Sequence, residues 1–208
     1  MKSPLVLVAF GLFASSGEIV NFDAGPVGRV PSGWTFAATN RGAAPRWEIR
    51  KDTTAPTHPY VLAEVSHAAA GQCPLAIYNA LTLRDGDVSV RIKPLSGNQD
   101  QAGGVVFRYR DPNNFYLVRE NALSHNVAVF KVENGQSRQL TSAIPHDIEP
   151  NTWNILKVSV RGNRFQVYVN HHRILQAWDK TFSGWGKVGL WTMADSTTYF
   201  DDFRVYPK

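Results

Sequence analysis

Residues 105–120 read Val-Val-Phe-Arg-Tyr-Arg, then Asp-Pro-Asn-Asn, then Phe-Tyr-Leu-Val-Arg-Glu, two runs rich in β-branched and aromatic residues around a four-residue break. Asp111, Pro112, Asn113 and Asn114 are turn formers: proline presets φ, and Asp and Asn side chains bond their own backbone. The stretch therefore predicts an antiparallel hairpin. With Arg110 opposite Phe115, Tyr109 faces Tyr116 and Phe107 faces Val118. Side chains alternate along a strand, so this register gives a core face of Val105, Phe107, Tyr109, Tyr116 and Val118. The other face carries Arg108, Leu117 and Arg119, with Arg110 near the turn.

Working outward, the same alternation recurs about every ten residues, which marks an all-β sandwich or barrel. Clear strands are expected at 87–93, 105–110, 115–120, 127–132, 155–160, 165–169, 188–192 and 199–205. Weaker ones are expected at 19–22, 47–50, 60–65 and 174–178. Glu133-Asn134-Gly135, Arg161-Gly162-Asn163 and Asn170-His171-His172 supply hairpin turns. Val88, Val90 and Ile92 point one way in their strand, as do Leu156, Val158 and Val160, and Phe165, Val167 and Val169. So many half-apolar strands need two stacked sheets to bury their apolar faces, which predicts a two-sheet antiparallel jelly-roll sandwich. Residues 23–46 and 52–59 are rich in Gly, Pro and Ala and read as long loops within one domain over 18–208.

The chain has 208 residues, 43% hydrophobic and 19% charged, a composition that excludes disorder and suffices for a sizeable core. Cys73 is the only cysteine, so an internal disulfide and a Cys-rich zinc module are both excluded. It reads as a small buried hydrophobe rather than a nucleophile. The 22 Lys and Arg exceed the 17 Asp and Glu, but the two signs are interspersed, which argues against nucleic acid as a partner. Lys2, the apolar run to Phe13 and the small residues Ala14, Ser15, Ser16 and Gly17 have the layout of a secretory signal peptide over 1–17. That run is too short for a membrane span, and no other segment is longer. The expected location is periplasmic or extracellular, in a bacterium.

The segments Gly103–Leu123 (Gly-Gly-Val-Val-Phe-Arg-Tyr-Arg-Asp-Pro-Asn-Asn-Phe-Tyr-Leu-Val-Arg-Glu-Asn-Ala-Leu) and Val188–Phe203 (Val-Gly-Leu-Trp-Thr-Met-Ala-Asp-Ser-Thr-Thr-Tyr-Phe-Asp-Asp-Phe) carry a resemblance. They resemble the 3-keto-disaccharide hydrolase-like domain of the concanavalin A-like lectin and glucanase superfamily. The opening Phe22-Asp23 and the turn Pro31-Ser32-Gly33-Trp34 are similar to one of its subgroups. The resemblance implies a ligand surface on the concave sheet, with the hairpin of residues 105–120 on it, and a loop at Asp195 and Ser196 close to the cleft. It also implies that the last strand lies near the first, so that Asp201 or Asp202 is the one place where calcium is expected, with oxygens from the loop after Asp23. No other cofactor is expected.

Several side chains suit a saccharide or glycoside as partner. Arg108 and Arg119 offer guanidinium forks for vicinal hydroxyls or a uronate carboxylate. Asn121, His125 and Asn126, at the next hairpin, offer amide and ring groups for hydroxyls. Trp191 leads Trp185 and Tyr199 as a ring for stacking, because Val188 and Leu190 point the other way. The glucanase motif Glu-x-Asp-x-x-Glu is missing, and alternation sends the adjacent carboxylates of Asp201 and Asp202 to opposite faces. Metal-binding histidine spacings, phosphate loops and nucleophile elbows are missing too. Three readings follow. The first is a secreted carbohydrate-binding jelly roll. The second is cleavage of 3-keto-glycosides with His125 or Asp195 as base, since elimination needs one base rather than a carboxylate pair. The third is a structural or adhesive module with no small ligand.

Overall fold

The computed structural model describes residues 17–57, 59–66, 68–145 and 148–208. Residues 1–16 of the expected signal peptide lie outside this set, as do His58, His67 and His146. The described residues form fifteen strands and no helix: β1 (Glu18–Val20), β2 (Trp34–Thr39), β3 (Trp47–Lys51), β4 (Tyr60–Glu64), β5 (Cys73–Leu83), β6 (Gly86–Ser96), β7 (Ala102–Asp111), β8 (Asn114–Asn121), β9 (Asn126–Glu133), β10 (Gln136–Ala143), β11 (Asn154–Arg161), β12 (Arg164–Val169), β13 (His172–Trp178), β14 (Gly186–Thr192) and β15 (Thr197–Pro207). One sheet runs β13-β12-β11-β6-β15-β4-β3, with β1 added on β15. The other runs β10-β9-β8-β7-β14-β5-β2. All pairings are antiparallel, as the hairpin-rich sequence requires.

The apolar sets read from alternation meet between the sheets. Val88, Val90 and Ile92 of β6, Leu156, Val158 and Val160 of β11, and Phe165, Val167 and Val169 of β12 face Val105, Phe107, Tyr116, Val118, Val188 and Leu190 of the opposite sheet. Ring contacts knit the layers: Phe165 sits 5.0 Å from Phe107 and 4.8 Å from Tyr116, between centroids. Burying one such ring contributes on the order of 2 kcal/mol, so this cluster anchors one end of the sandwich.

Three strands were not anticipated. β2 lies within the expected loop 23–46, where its Trp-Thr-Phe-Ala-Ala-Thr pattern sits among Gly and Pro. β5 is covered on both faces along its first half, so it reads as a continuous apolar run rather than an alternation. β10 is a polar strand at the sheet edge, exposed over most of its length, and carries little hydrophobic signal.

The hairpin of β7 and β8 corrects the expected register. Asp111 pairs with Asn114, as the turn chemistry requires, but Phe107 pairs with Tyr116 rather than Val118. Arg108, Tyr109 and Arg110 bulge between those pairs, and Arg108 takes a left-handed φ of 48°. Those three residues stand against the single Phe115 of β8, and the inward-outward alternation is inverted past Phe107. Tyr109 consequently leaves the expected core face and packs on the outer side of its sheet with Phe115 and Val106, while Arg108 turns inward.

A second bulge separates Asp201, which pairs with Arg91, from Arg204, which pairs with Ser89. Asp202 sits at a φ of 49° in it, and Phe200 and Phe203 both reach the core. The two carboxylates are therefore not on opposite faces. Asp201 pairs with outward-facing Arg91, and Asp202 bonds Arg91 and Arg204 on the same outer side.

Candidate functional site

Across the seven-stranded sheet, register places Arg119 of β8, Gly104 of β7 and Trp191 of β14 directly opposite one another in one row. All three point away from the sandwich core. Neighbouring strands lie about 4.8 Å apart, so Arg119 and Trp191 flank the glycine at roughly 10 Å from each other. A Cβ on Gly104 would stand 2.4 Å from the Val118 carbonyl oxygen and 2.7 Å from a methyl of Leu117. The missing side chain is thus what lets Leu117 and Arg119 lie low beside the gap.

Above this row opens a cavity of about 320 Å³, lined by Arg119, Trp191, Cys73, Leu117, Phe130 and Met193, with Asn40, Gln136 and Ser137 among its polar groups. The floor is apolar because the outer face of this sheet carries its own hydrophobic cluster, including Leu75, Ile77, Val106, Leu117 and Trp191. Trp191 is only 3% exposed, so it forms floor rather than a projecting platform. Asn40 is held at the rim by its Nδ2 donating to the Gly71 carbonyl at 2.7 Å.

Arg119 is the charged group of the cavity. Its Nη2 donates to Asn126 Oδ1 at 2.6 Å, and its guanidinium lies 4.9 Å from the Phe130 ring centroid. Its Nε is buried without a hydrogen-bond partner. Burial draws the Arg119 pKa down while the Asp100 carboxylate opposes this, and the group stays a cation. A pre-aimed guanidinium over an apolar floor suits a ligand with hydroxyls on one side and C–H groups on another.

Cys73 also lines the cavity, and burial pushes its thiol up to about 11, with the Trp191 side chain working in the opposite direction. At neutral pH it is a thiol, not a nucleophilic thiolate. None of the described residues lining the cavity carries a carboxyl group. Glu120, next in sequence to Arg119, points the opposite way, is fully buried, and accepts a hydrogen bond from Asn154 Nδ2 at 2.8 Å.

The remaining sequence candidates lie elsewhere. Arg108 was expected outward beside Arg119, but it is 1% exposed and donates to the carbonyls of Arg84, Gly162 and Phe182 at 2.6–3.0 Å, with Asp85 Oδ1 at 3.4 Å. The bulge in β7 is what turns it inward. Asn121 is buried; its Nδ2 donates to Asp100 and its Oδ1 accepts from the amides of Leu123 and Ser124, so it builds the turn. His125 is exposed in that turn, with Nδ1 3.0 Å from the Ile148 carbonyl. Asp195 accepts from the backbone amides of Asn98, Gln99 and Asp100 and so clamps that loop. Asn126 reaches the cavity through Arg119. Trp185 is exposed near the start of β14, and Tyr199 belongs to the other sheet.

Phe130, Asn40, Gln136, Ser137 and Met193 escaped the sequence reading. For Phe130 a signal existed: Val127 and Val129 face the core, so an aromatic ring between solvent-side positions marks an outward apolar group.

Asp201 and Asp202 do not fit the calcium expectation. Asp201 accepts the amides of Thr57 and Asp202, and Asp202 Oδ2 accepts from Arg91 and Arg204 at 3.1 Å each. Three of the four carboxylate oxygens thus already face N–H donors. No group of three His, Cys, Asp or Glu side chains that could hold a metal gathers among the described residues.

No family model matches the chain. Levanase from Bacillus subtilis (strain 168) is 30% identical over 119 residues, 57% of this chain, and the match spans 16% of that enzyme's length. The structure of the carbohydrate binding module CBM66 from Bacillus subtilis superposes with a TM-score of 0.66 at 25% identity, covering 83% of this chain and 94% of that one. A β-1,3-1,4-glucanase (lichenase) derived from a mouse hindgut metagenome has a TM-score of 0.56 at 12% identity, over 92% of this chain and 99% of that one. With two antiparallel sheets and no helix among the described residues, the fold is a two-sheet jelly roll of the concanavalin A-like class.

Proposed function

We propose that this protein is a secreted carbohydrate-binding jelly roll that holds a saccharide in the cavity over Gly104, on the concave side of the seven-stranded sheet. The observation that carries this reading is the cavity above the row Arg119, Gly104, Trp191, where a charged fork stands beside an apolar floor of Trp191, Leu117 and Phe130. A pyranose or furanose presents hydroxyls in its plane and C–H bonds on its faces, and the cavity offers donors at the rim and hydrocarbon below. The likeness to a carbohydrate binding module and to a stretch of a levanase supports a glycan as ligand and an exported protein. Residues 1–17 would then direct export.

Cleavage of 3-keto-glycosides is the alternative the sequence resemblance suggests. It asks for a base beside the ligand, and the two candidates, His125 and Asp195, are engaged with a backbone carbonyl and three backbone amides away from the cavity. Binding without cleavage is therefore the better-supported reading.

Calorimetry against a panel of neutral glycans, with levan first, tests it. Arg119→Gln removes the charge-assisted donors and keeps much of the packing, so affinity should fall about ten- to a hundredfold with little change in melting temperature. Unchanged affinity in Arg119→Gln would place the ligand elsewhere.

A further inference from the structure

The outer face of the eight-stranded sheet repeats this construction with different chemistry. Register sets Lys157 of β11, Ser89 of β6 and Arg204 of β15 in one row, with Tyr168 of β12 beyond Lys157. Here a small serine separates two cations at roughly 10 Å. Arg91, two residues along β6 from Ser89, adds a third. These side chains, with Tyr206 and His171, surround a cavity of about 300 Å³.

The electrostatics of this cavity are lopsided. Its one carboxylate, Asp202, is shared by Arg91 Nε and Arg204 Nη2 at 3.1 Å each, which holds the two guanidiniums side by side, each more than a third exposed. Lys157 Nζ lies 4.4 Å from the Tyr168 ring centroid and makes no ion pair among the described residues. Asp87, the next acid along β6, is engaged by Arg161 at 2.9 Å and also feels the Lys157 charge from outside the cavity. Three cations therefore face one committed anion, whereas the cavity over Gly104 holds a single arginine. Tyr206 is 41% exposed at the cavity wall and offers a ring face.

We propose that this face is a second binding site, for an acidic saccharide, its carboxylate held between Arg91, Arg204 and Lys157 above Ser89 and its ring against Tyr206. The assignment rests on charge and register and stands whether or not the cavity over Gly104 binds a glycan. If both sites operate, the domain holds a neutral and an acidic chain on opposite faces.

Affinity electrophoresis in gels containing polygalacturonate tests the proposal, with gels containing an uncharged galactan as control. Arg91→Gln/Arg204→Gln should weaken retardation by polygalacturonate at least tenfold, and Lys157→Gln/Tyr206→Ala should do likewise while leaving Asp202 with both its partners. The charge-matched Arg29→Gln/Arg164→Gln, altered at exposed positions off the cavity, should retain it. No retardation of the parent protein, or equal loss in the charge-matched variant, would overturn the site. If Arg91→Gln/Arg204→Gln does not fold, Lys157→Gln/Tyr206→Ala decides: retained binding there overturns the proposal.

Discussion

Replacing Glu120 by Gln should make the protein more stable at alkaline pH and leave it unchanged in acid. Glu120 is fully buried between the sheets; Asn154 Nδ2 donates to its Oε1, and its Oε2 has no hydrogen-bond partner. Burial pushes its carboxyl up to about 8, the hydrogen bond from Asn154 working against that. The folded protein therefore keeps a proton that the unfolded chain releases near its ordinary 4.5. Where the folded state binds more protons, stability falls as pH rises. For Glu120 the contribution is whole below 4.5, declines above it, and is exhausted once pH has passed about 8. At about 1.4 kcal/mol per pH unit the loss reaches at most ~5 kcal/mol, a large fraction of a domain's net stability. Glutamine mimics the protonated acid and cannot ionise, so it escapes this loss. Urea unfolding of parent and Glu120→Gln from pH 4 to 9 measures it. The two should coincide near pH 4 and diverge steadily to pH 8, with the variant higher, then run parallel. A difference independent of pH would show that Glu120 ionises normally and is not sealed from water.

Arg108→Ala should lower stability by about 3 to 5 kcal/mol, because three buried carbonyls lose their donor and Asp85 its cation; for a domain of this size that is roughly 6 to 20 °C in melting temperature. Circular dichroism reads the shift, and a fall under 2 °C would return Arg108 to the surface. A strong chelator should leave the melting temperature unchanged, since Asp201 and Asp202 face N–H donors rather than a cation; a drop would reveal calcium that this donor set argues against.

Where pattern and packing agree, the sequence was sufficient. Val188 and Leu190 point inward, which fixes Trp191 outward with no knowledge of its neighbours, and the turn at Asp111 to Asn114 closes in the expected pairing. Where a distant partner decides, it was not. Arg108 holds a left-handed conformation because carbonyls 24, 54 and 74 residues away receive its guanidinium. Nothing local to β7 announces those carbonyls. A two-residue alternation carried through the bulge therefore gave the wrong face to Arg108 and Tyr109. The bulge in β15 misled the reading of Asp201 and Asp202 in the same way. β5 and β10 were lost for the opposite reason: one is covered on both faces and the other lies at an edge, so neither alternates.

The two cavities show why the candidate site was only half legible. Each opens above a row in which a small residue, Gly104 or Ser89, lies in register between two large side chains on neighbouring strands. Along the chain Gly104 looks like a strand start and Ser89 like an ordinary solvent-side residue. Their place is visible only across strands, where a small side chain lets its neighbours lie low. Strand spacing then sets the gap at about two inter-strand steps, near 10 Å, wide enough to admit a sugar ring. What differs is the flanking pair. Arg119 and Trp191 make an amphipathic gap, and Lys157 and Arg204 make a cationic one. On the two proposals made above, sheet geometry would supply the width of each site and the identity of the flanking pair its selectivity. On that reading, exchanging those pairs, rather than remodelling loops, is the shortest physical route to moving a glycan preference from one face to the other.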